Sequence, residues 1–204
     1  YTTDGTEPTK NATVYTQPLK ITKTTDLKAK AFGSEGESSW GQKFIFNKAT
    51  VRPITFLSKP THNYTFNGAI TLVDGQRGNK NSRSGQWLGF SEAPCEVVIT
   101  LPENTPIKEV SFKSFIDTGD WIYPPTLFEV QGSTDGKNYE TLAKEDYQLP
   151  TKHFREIKDY KLSFKEKKVT YLKVKINEVN KIPAFHNGAA GKPGFLFIDE
   201  IEVN

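Results

Sequence analysis

Over residues 172–177 the chain reads Leu-Lys-Val-Lys-Ile-Asn, apolar and polar side chains in strict alternation. Successive residues of a strand point to opposite faces, so this pattern makes one buried and one wet face. Strands of this kind are predicted near 95–101, 107–116, 127–133, 138–143, 157–164, 169–177 and 194–203, and no segment sustains a 3.6-residue period. Gly, Pro, Asn and Asp interrupt the chain at short intervals. Ser133-Thr134-Asp135-Gly136-Lys137, between Phe128-Glu129-Val130 and Tyr139, has the chemistry of a hairpin turn. Phe, Tyr, Thr, Val and Ile are plentiful and Ala is sparse, as pleated, half-buried surfaces require. These residues predict an all-β protein whose later part is an antiparallel sandwich or jelly roll.

Two registers divide the chain. In the first, Leu27, Ala29 and Ala31 alternate with Lys28 and Lys30, a Gly/Ser/Glu turn is expected over 34–39, and Lys43-Phe44-Ile45-Phe46 forms another strand. Trp40, between Ser39 and Gly41 in a Ser-Gly turn, is expected to cap this module or to pack between modules. A new register starts at Val51-Arg52-Pro53, giving expected modules of 1–48 and 49–204. Four short strands are too few to close a sandwich. Tyr1-Thr2-Thr3 running into Asp4-Gly5 reads as the second half of a strand-and-turn unit, and the chain contains no Met. We therefore expect part of a longer polypeptide, its first module lacking a strand or two.

Charge and reactive residues exclude several classes. The 27 basic and 24 acidic residues nearly cancel, and the lysines alternate with acids and apolar residues, so the basic stripe that nucleic acid requires is absent. No run approaches the ~18 apolar residues of a membrane span. Cys95, the single cysteine, stands beside Val97, Val98 and Ile99 and reads as a small core hydrophobe. The three histidines (His62, His153, His186) are scattered, and neither a Gly-x-Ser-x-Gly elbow nor metal-ligand spacing of His and Cys occurs. Nothing in the chain supports an active site.

Tyr1-Thr2-Thr3-Asp4-Gly5-Thr6-Glu7-Pro8-Thr9, with Tyr15, Pro18, Leu19 and Leu27 to Phe32, resembles the Ig-like domain near the C-terminus of bacterial chitobiases and β-hexosaminidases. Leu72-Val73-Asp74-Gly75, Gln86-Trp87-Leu88-Gly89-Phe90, Trp121-Ile122-Tyr123-Pro124-Pro125, Phe128 to Gly136 and Phe197-Ile198-Asp199-Glu200-Ile201 together resemble a discoidin (coagulation factor V/VIII type C) domain. Such domains are galactose-binding-like jelly rolls, many of them in carbohydrate-binding module family 32. The tandem is similar to the tail of family 20 glycoside hydrolases of gut Bacteroidetes. This resemblance implies a partial Ig-like β-sandwich followed by a galactose-binding-like jelly roll. It implies a non-catalytic accessory region of a secreted β-N-acetylhexosaminidase, located in the periplasm, at the cell surface or outside the cell. Weak binding of glycans ending in galactose, GalNAc or GlcNAc would target the parent enzyme. The alternative is a purely structural tail packed on the absent catalytic domain.

The resemblance further implies a structural Ca²⁺ held at Asp74 and Glu200. Glu200 shares its strand face with Leu196 and Ile198, so it is expected to point inward, where a carboxylate needs a partner. Calcium and loop carbonyls would supply one; so would Arg77, Lys80 or Arg83. Sugar binding needs an aromatic platform and a few fixed hydrogen-bonders. Trp121, Tyr123, His186, Asn187 and His62, all in expected loops, are the candidates. Asp199 and Glu200 form an adjacent acid pair, but in one strand their side chains would point to opposite faces and could not act together on one bond.

Overall fold

The computed structural model describes residues 1–34 and 36–204; Glu35, inside the turn expected over 34–39, lies outside the described residues. Among the described residues ten strands follow in order: β1 Thr25–Gly33, β2 Gly36–Phe44, β3 Ile54–Phe56, β4 Leu88–Phe90, β5 Cys95–Asp117, β6 Leu127–Ser133, β7 Glu140–Asp146, β8 Arg155–Asn177, β9 Leu196–Ile198 and β10 Glu202–Val203. Among the described residues helical structure is confined to short 3-10 turns at His62–Tyr64, Gly68–Leu72 and Thr118–Asp120. The protein is all-β, as its alternation predicts.

The frame of the second part is the long antiparallel pair β5–β8. Its ladder breaks between Thr100 and Thr105 and again between Ile107 and Glu109. Such irregularities bend a strand and let it leave one layer for another. Before the break, β5 pairs with β3 and with the end of β8, which continues to β6 and β7. After it, β5 pairs with β10 and β9, and β9 with β4. The two halves face each other: Phe112 of the later half meets Phe128 of β6 edge-on at 4.9 Å between ring centroids. Val97, Ile99, Val130, Leu172, Val174 and Ile176 from one layer share a single core with Leu88, Val110, Leu162, Ile198 and Val203 from the other. This is the jelly-roll sandwich. Cys95 is buried within it.

The first part is one hairpin, paired from Thr25↔Phe44 to Gly33↔Gly36. Gly36 to Ser39, expected in the turn, belong to β2. The opening residues meet β1 at bridges Thr2↔Lys28 and Asp4↔Asp26, at a hydrogen bond from Gly5 N–H to Asp26 O of 2.9 Å and at an ion pair between Glu7 and Lys28. Trp40 neither caps nor packs between modules. It is 54% exposed, because it stands on an open hairpin face. At its end β2 runs into the sandwich, where Ile45 N–H donates to Gly75 O at 2.7 Å and Asn47 Oδ1 accepts from Val203 N–H at 3.1 Å.

The β6–β7 turn holds to its chemistry. Asp135 accepts from Lys137 N–H and Asn138 N–H, both at 2.8 Å, and these bonds hold its carboxyl well below the usual carboxylate range. Gly136 has φ 72°, and a Cβ there would lie 3.2 Å from the Tyr171 ring. Gly136→Ala is expected to destabilise by about 1–2 kcal/mol, the penalty of a left-handed non-glycine residue. Thermal melting should register a fall of a few degrees; an unchanged midpoint would show that the turn relaxes freely.

Candidate functional site

Two irregular segments and an aromatic floor enclose a cleft of ≈580 Å³ at one end of the sandwich. The first wall is the loop after β5. Asp117 and Ile122 exchange two backbone hydrogen bonds of 3.0 Å, closing a tight loop around the Thr118–Asp120 turn. That closure forces Trp121 into the left-handed region at φ 67°, a strained conformation for a bulky side chain. The strain is held by neighbours: Phe195 N–H donates to Trp121 O, and Tyr123 N–H to Phe195 O, both at 2.8 Å. Trp121 and Asp120 thus face the cleft.

The second wall is the arm from Gly78 to Trp87. Asx turns shape it: Asn81 N–H donates to Asn79 Oδ1 at 2.8 Å and Arg83 N–H to Asn81 Oδ1 at 3.0 Å. Its two ends are tied where Trp87 Nε1 donates to Asn79 O at 2.9 Å. Asn81, Ser82 and Arg83 line the cleft from this side. The floor is Tyr64, Phe195 and Phe197, with Tyr64 centred 5.5 and 4.8 Å from the other two rings. Neither Arg83 nor Asp120 takes part in an ion pair among the described residues. A guanidinium with five donors, a carboxylate with acceptors only and aromatic rings therefore share one open cavity, a set able to hold a flat polyhydroxylated ligand.

Of the five predicted sugar-site residues, Trp121 alone lines this cleft. Tyr123 is fully buried with Val179, Ile182 and Ala189, so it cannot reach a ligand. His186 is also buried. It lies behind Trp121, ring centroids 6.4 Å apart and edge-on, with Nε2 3.4 Å from Gly119 O. It supports the platform rather than forming it. Asn187 and His62 are exposed, but neither lines the cavity. Tyr64, Asn81, Arg83, Asp120 and Phe195 were missed. Arg83 stands in the loop expected to offer Glu200 either carbonyls for a calcium ion or a counter-charge, and Tyr64 stands two residues from His62.

The acid pair also differs from expectation. Asp199 and Glu200 lie in the link between β9 and β10, not inside one strand, and both are completely buried. Their contacts diverge: Asp199 accepts from Gly78 N–H (3.0 Å) and Lys113 N–H (2.8 Å), Glu200 from Gly75 N–H (2.9 Å) and Asn47 Nδ2 (3.5 Å). Burial pushes Asp199 up to about 7. Burial, with the neighbouring Asp74 and Asp199 carboxylates, pushes Glu200 up to about 9. Burial raises half-buried Asp74 as well. Arg77 does not compensate Glu200; it pairs with Glu202 and, at 3.8 Å, with Asp159. Glu200 and Asp74 thus fit a hard cation in donor type and in their lack of a cationic partner, although no three His, Cys, Asp or Glu side chains converge among the described residues.

Residues 1–42 match the family model described as "Chitobiase/beta-hexosaminidase C-terminal domain". No curated protein matches the chain. Among solved structures, the sandwich is similar to CpGH89CBM32-5 from Clostridium perfringens, solved with GalNAc-β-1,3-galactose (18% identity, 74% of this chain and 93% of that one, TM-score 0.47). It is also similar to the family 32 module of Clostridium perfringens NanJ, solved with galactose (12% identity, 74% and 91%, TM-score 0.47). A third is chitosan-binding module 1 of a Paenibacillus sp. IK-5 chitosanase/glucanase (16% identity, 78% and 98%, TM-score 0.46). Among the described residues no helix is long and apolar enough to cross a membrane.

Proposed function

We propose that residues 49–204 form a non-catalytic carbohydrate-binding module and that, with residues 1–48, they serve as the accessory tail of a β-N-acetylhexosaminidase of glycoside hydrolase family 20 acting outside the cytoplasm. One observation carries the reading: Trp121, Asp120, Asn81 and Arg83 converge over an aromatic floor in one open cleft. The ligand is a terminal galactose, GalNAc or GlcNAc unit, its apolar face against an aromatic ring and its hydroxyls on the polar set. The match of residues 1–42 supports the choice of parent. A shallow site gives millimolar affinity, about −4 kcal/mol, which suffices when binding is linked to a second site on the same chain. Asp199 and Glu200 are sealed from solvent, so no bond cleavage is assigned to them. Glu200 and Asp74, with loop carbonyls, would hold Ca²⁺ as a structural ion.

The second reading, a structural tail packed on a catalytic domain, is favoured by the surface of the hairpin and of the segment before it, where Trp40, Val14 and Tyr15 are 54%, 74% and 63% exposed. Titration separates the two. Galactose, GalNAc and GlcNAc up to ~10 mM should shift amide signals of residues 81–83 and 119–121, and Arg83→Ala should weaken binding about tenfold or more, as loss of a charged hydrogen bond does. Silence with all three sugars would leave the structural tail.

A further inference from the structure

Asp199 is completely buried, yet among the described residues it has no ion-pair partner; what its carboxylate accepts is two backbone N–H groups, those of Gly78 and Lys113. Lys113 belongs to β5, the spine of the sandwich. Gly78 opens the arm that carries Asn81 and Arg83 into the cleft. One carboxylate therefore rivets an irregular arm to a strand. The opposite side of Gly78 is equally constrained, because a Cβ there would lie 2.1 Å from the Trp87 ring. Between indole and carboxylate, the start of the arm has one available path. Just before it, Arg77 is tied to Glu202 of β10.

We infer that Asp199 is a positioning residue of the cleft: by fixing the Gly78 N–H it sets where Asn81 and Arg83 meet a ligand. The inference rests on the reading of the cleft as a sugar site. Asp199 touches no ligand itself, being sealed beneath the arm. Asp199→Asn is the informative change. The amide has the same shape but one acceptor oxygen, so it cannot satisfy both N–H groups with its oxygens, and the arm is released or shifted.

In the full chain, Asp199→Asn is expected to weaken binding of whichever of galactose, GalNAc or GlcNAc the unaltered protein takes by roughly three- to tenfold, the factor one lost hydrogen bond sets. Hydrogen exchange of residues 79–84 should quicken. In an Arg83→Ala background the same change should weaken binding by clearly less than it does alone, because one of the two contacts it positions is already gone; fully additive losses overturn the inference. Unaltered sugar binding or unaltered exchange of the arm in Asp199→Asn overturns it as well, while the cleft reading stands. If the unaltered protein binds none of the three sugars, the cleft reading falls and takes the inference with it. Should the variant fail to fold, the unaltered protein decides: the Gly78 amide should exchange as slowly as that of Lys113, and exchange at the rate of an open loop overturns the inference.

Discussion

Removing divalent cations with a chelator at pH 8 is expected to lower the melting temperature by roughly 5–10 °C, and the loss should shrink towards pH 5. Glu200 is buried at about 9 and Asp199 at about 7, both raised chiefly by burial, whereas in an unfolded chain they titrate near 4.3 and 3.9. Without a cation, the folded protein keeps protons that the unfolded chain gives up. Stability from these two groups is then whole below about pH 4 and declines as pH rises, through about 7 for Asp199 and about 9 for Glu200. This slope is opposite to that of ordinary acid denaturation. A hard cation at Glu200 and Asp74, as proposed, would take the place of the proton and bind better as pH rises. At a hundred times its Kd it adds about 2.7 kcal/mol, and in a domain of this size each kcal/mol moves the midpoint by about 2–4 °C. Glu200→Gln should flatten the pH slope and abolish the calcium response. A chelated protein whose midpoint is level from pH 5 to 8 and indifferent to calcium refutes this account.

Alternation in the sequence shows which residues face the core, but not which strands continue. Residues 95–101 and 107–116 read as two strands, as do 157–164 and 169–177; each pair is one strand of the folded protein, β5 and β8. The gap in β5 holds Pro102 and Asn104, the latter at φ 54°. Locally that is turn chemistry. The ladder resumes beyond it because β5 and β8 bend together at the corner of the sandwich, a matter of pairing between segments some sixty residues apart. The hairpin is the converse case: Gly36 to Ser39 look like a turn, yet pairing with β1 keeps them extended.

The cleft was legible only where one segment carries both strain and chemistry. Trp121, between Gly119-Asp120 and Pro124-Pro125, announces a loop aromatic from local residues. Tyr123, two positions on, looks equivalent but packs inward, because Ile122 bridges Asp117 and turns the chain. His186 and Asn187 belong to a loop that tucks behind Trp121, and no local pattern reveals the side from which a loop approaches. Asn81 and Arg83 meet Asp120 only because the Gly78–Trp87 arm folds over the end of the sandwich. The acids show a similar limit: alternation foresaw the divergent contacts of Asp199 and Glu200, but not that both would be buried where β9 gives way to β10.

Trp87→Ala should be the most damaging single truncation near the cleft, destabilising the protein by about 3–5 kcal/mol. The indole is fully buried, packs edge-on against Phe115 at 5.7 Å and covers Gly78 so closely that no side chain fits there. Its removal opens a cavity in the smaller core of Phe115, Ile122 and Phe197, against which Tyr64 and Phe195 of the aromatic floor are packed. It also deletes the Nε1 donor to Asn79 O that ties the ends of the arm together. Against a typical total of about 5–15 kcal/mol this is a large share, worth roughly 10 °C of melting temperature. Trp87→Phe restores part of the ring but not the donor, so it should recover much of the stability while leaving the arm loose. Melting and sugar titration of the two variants together distinguish these roles: packing alone predicts that Phe rescues both, whereas the hydrogen bond to Asn79 predicts that it rescues melting and leaves binding weak.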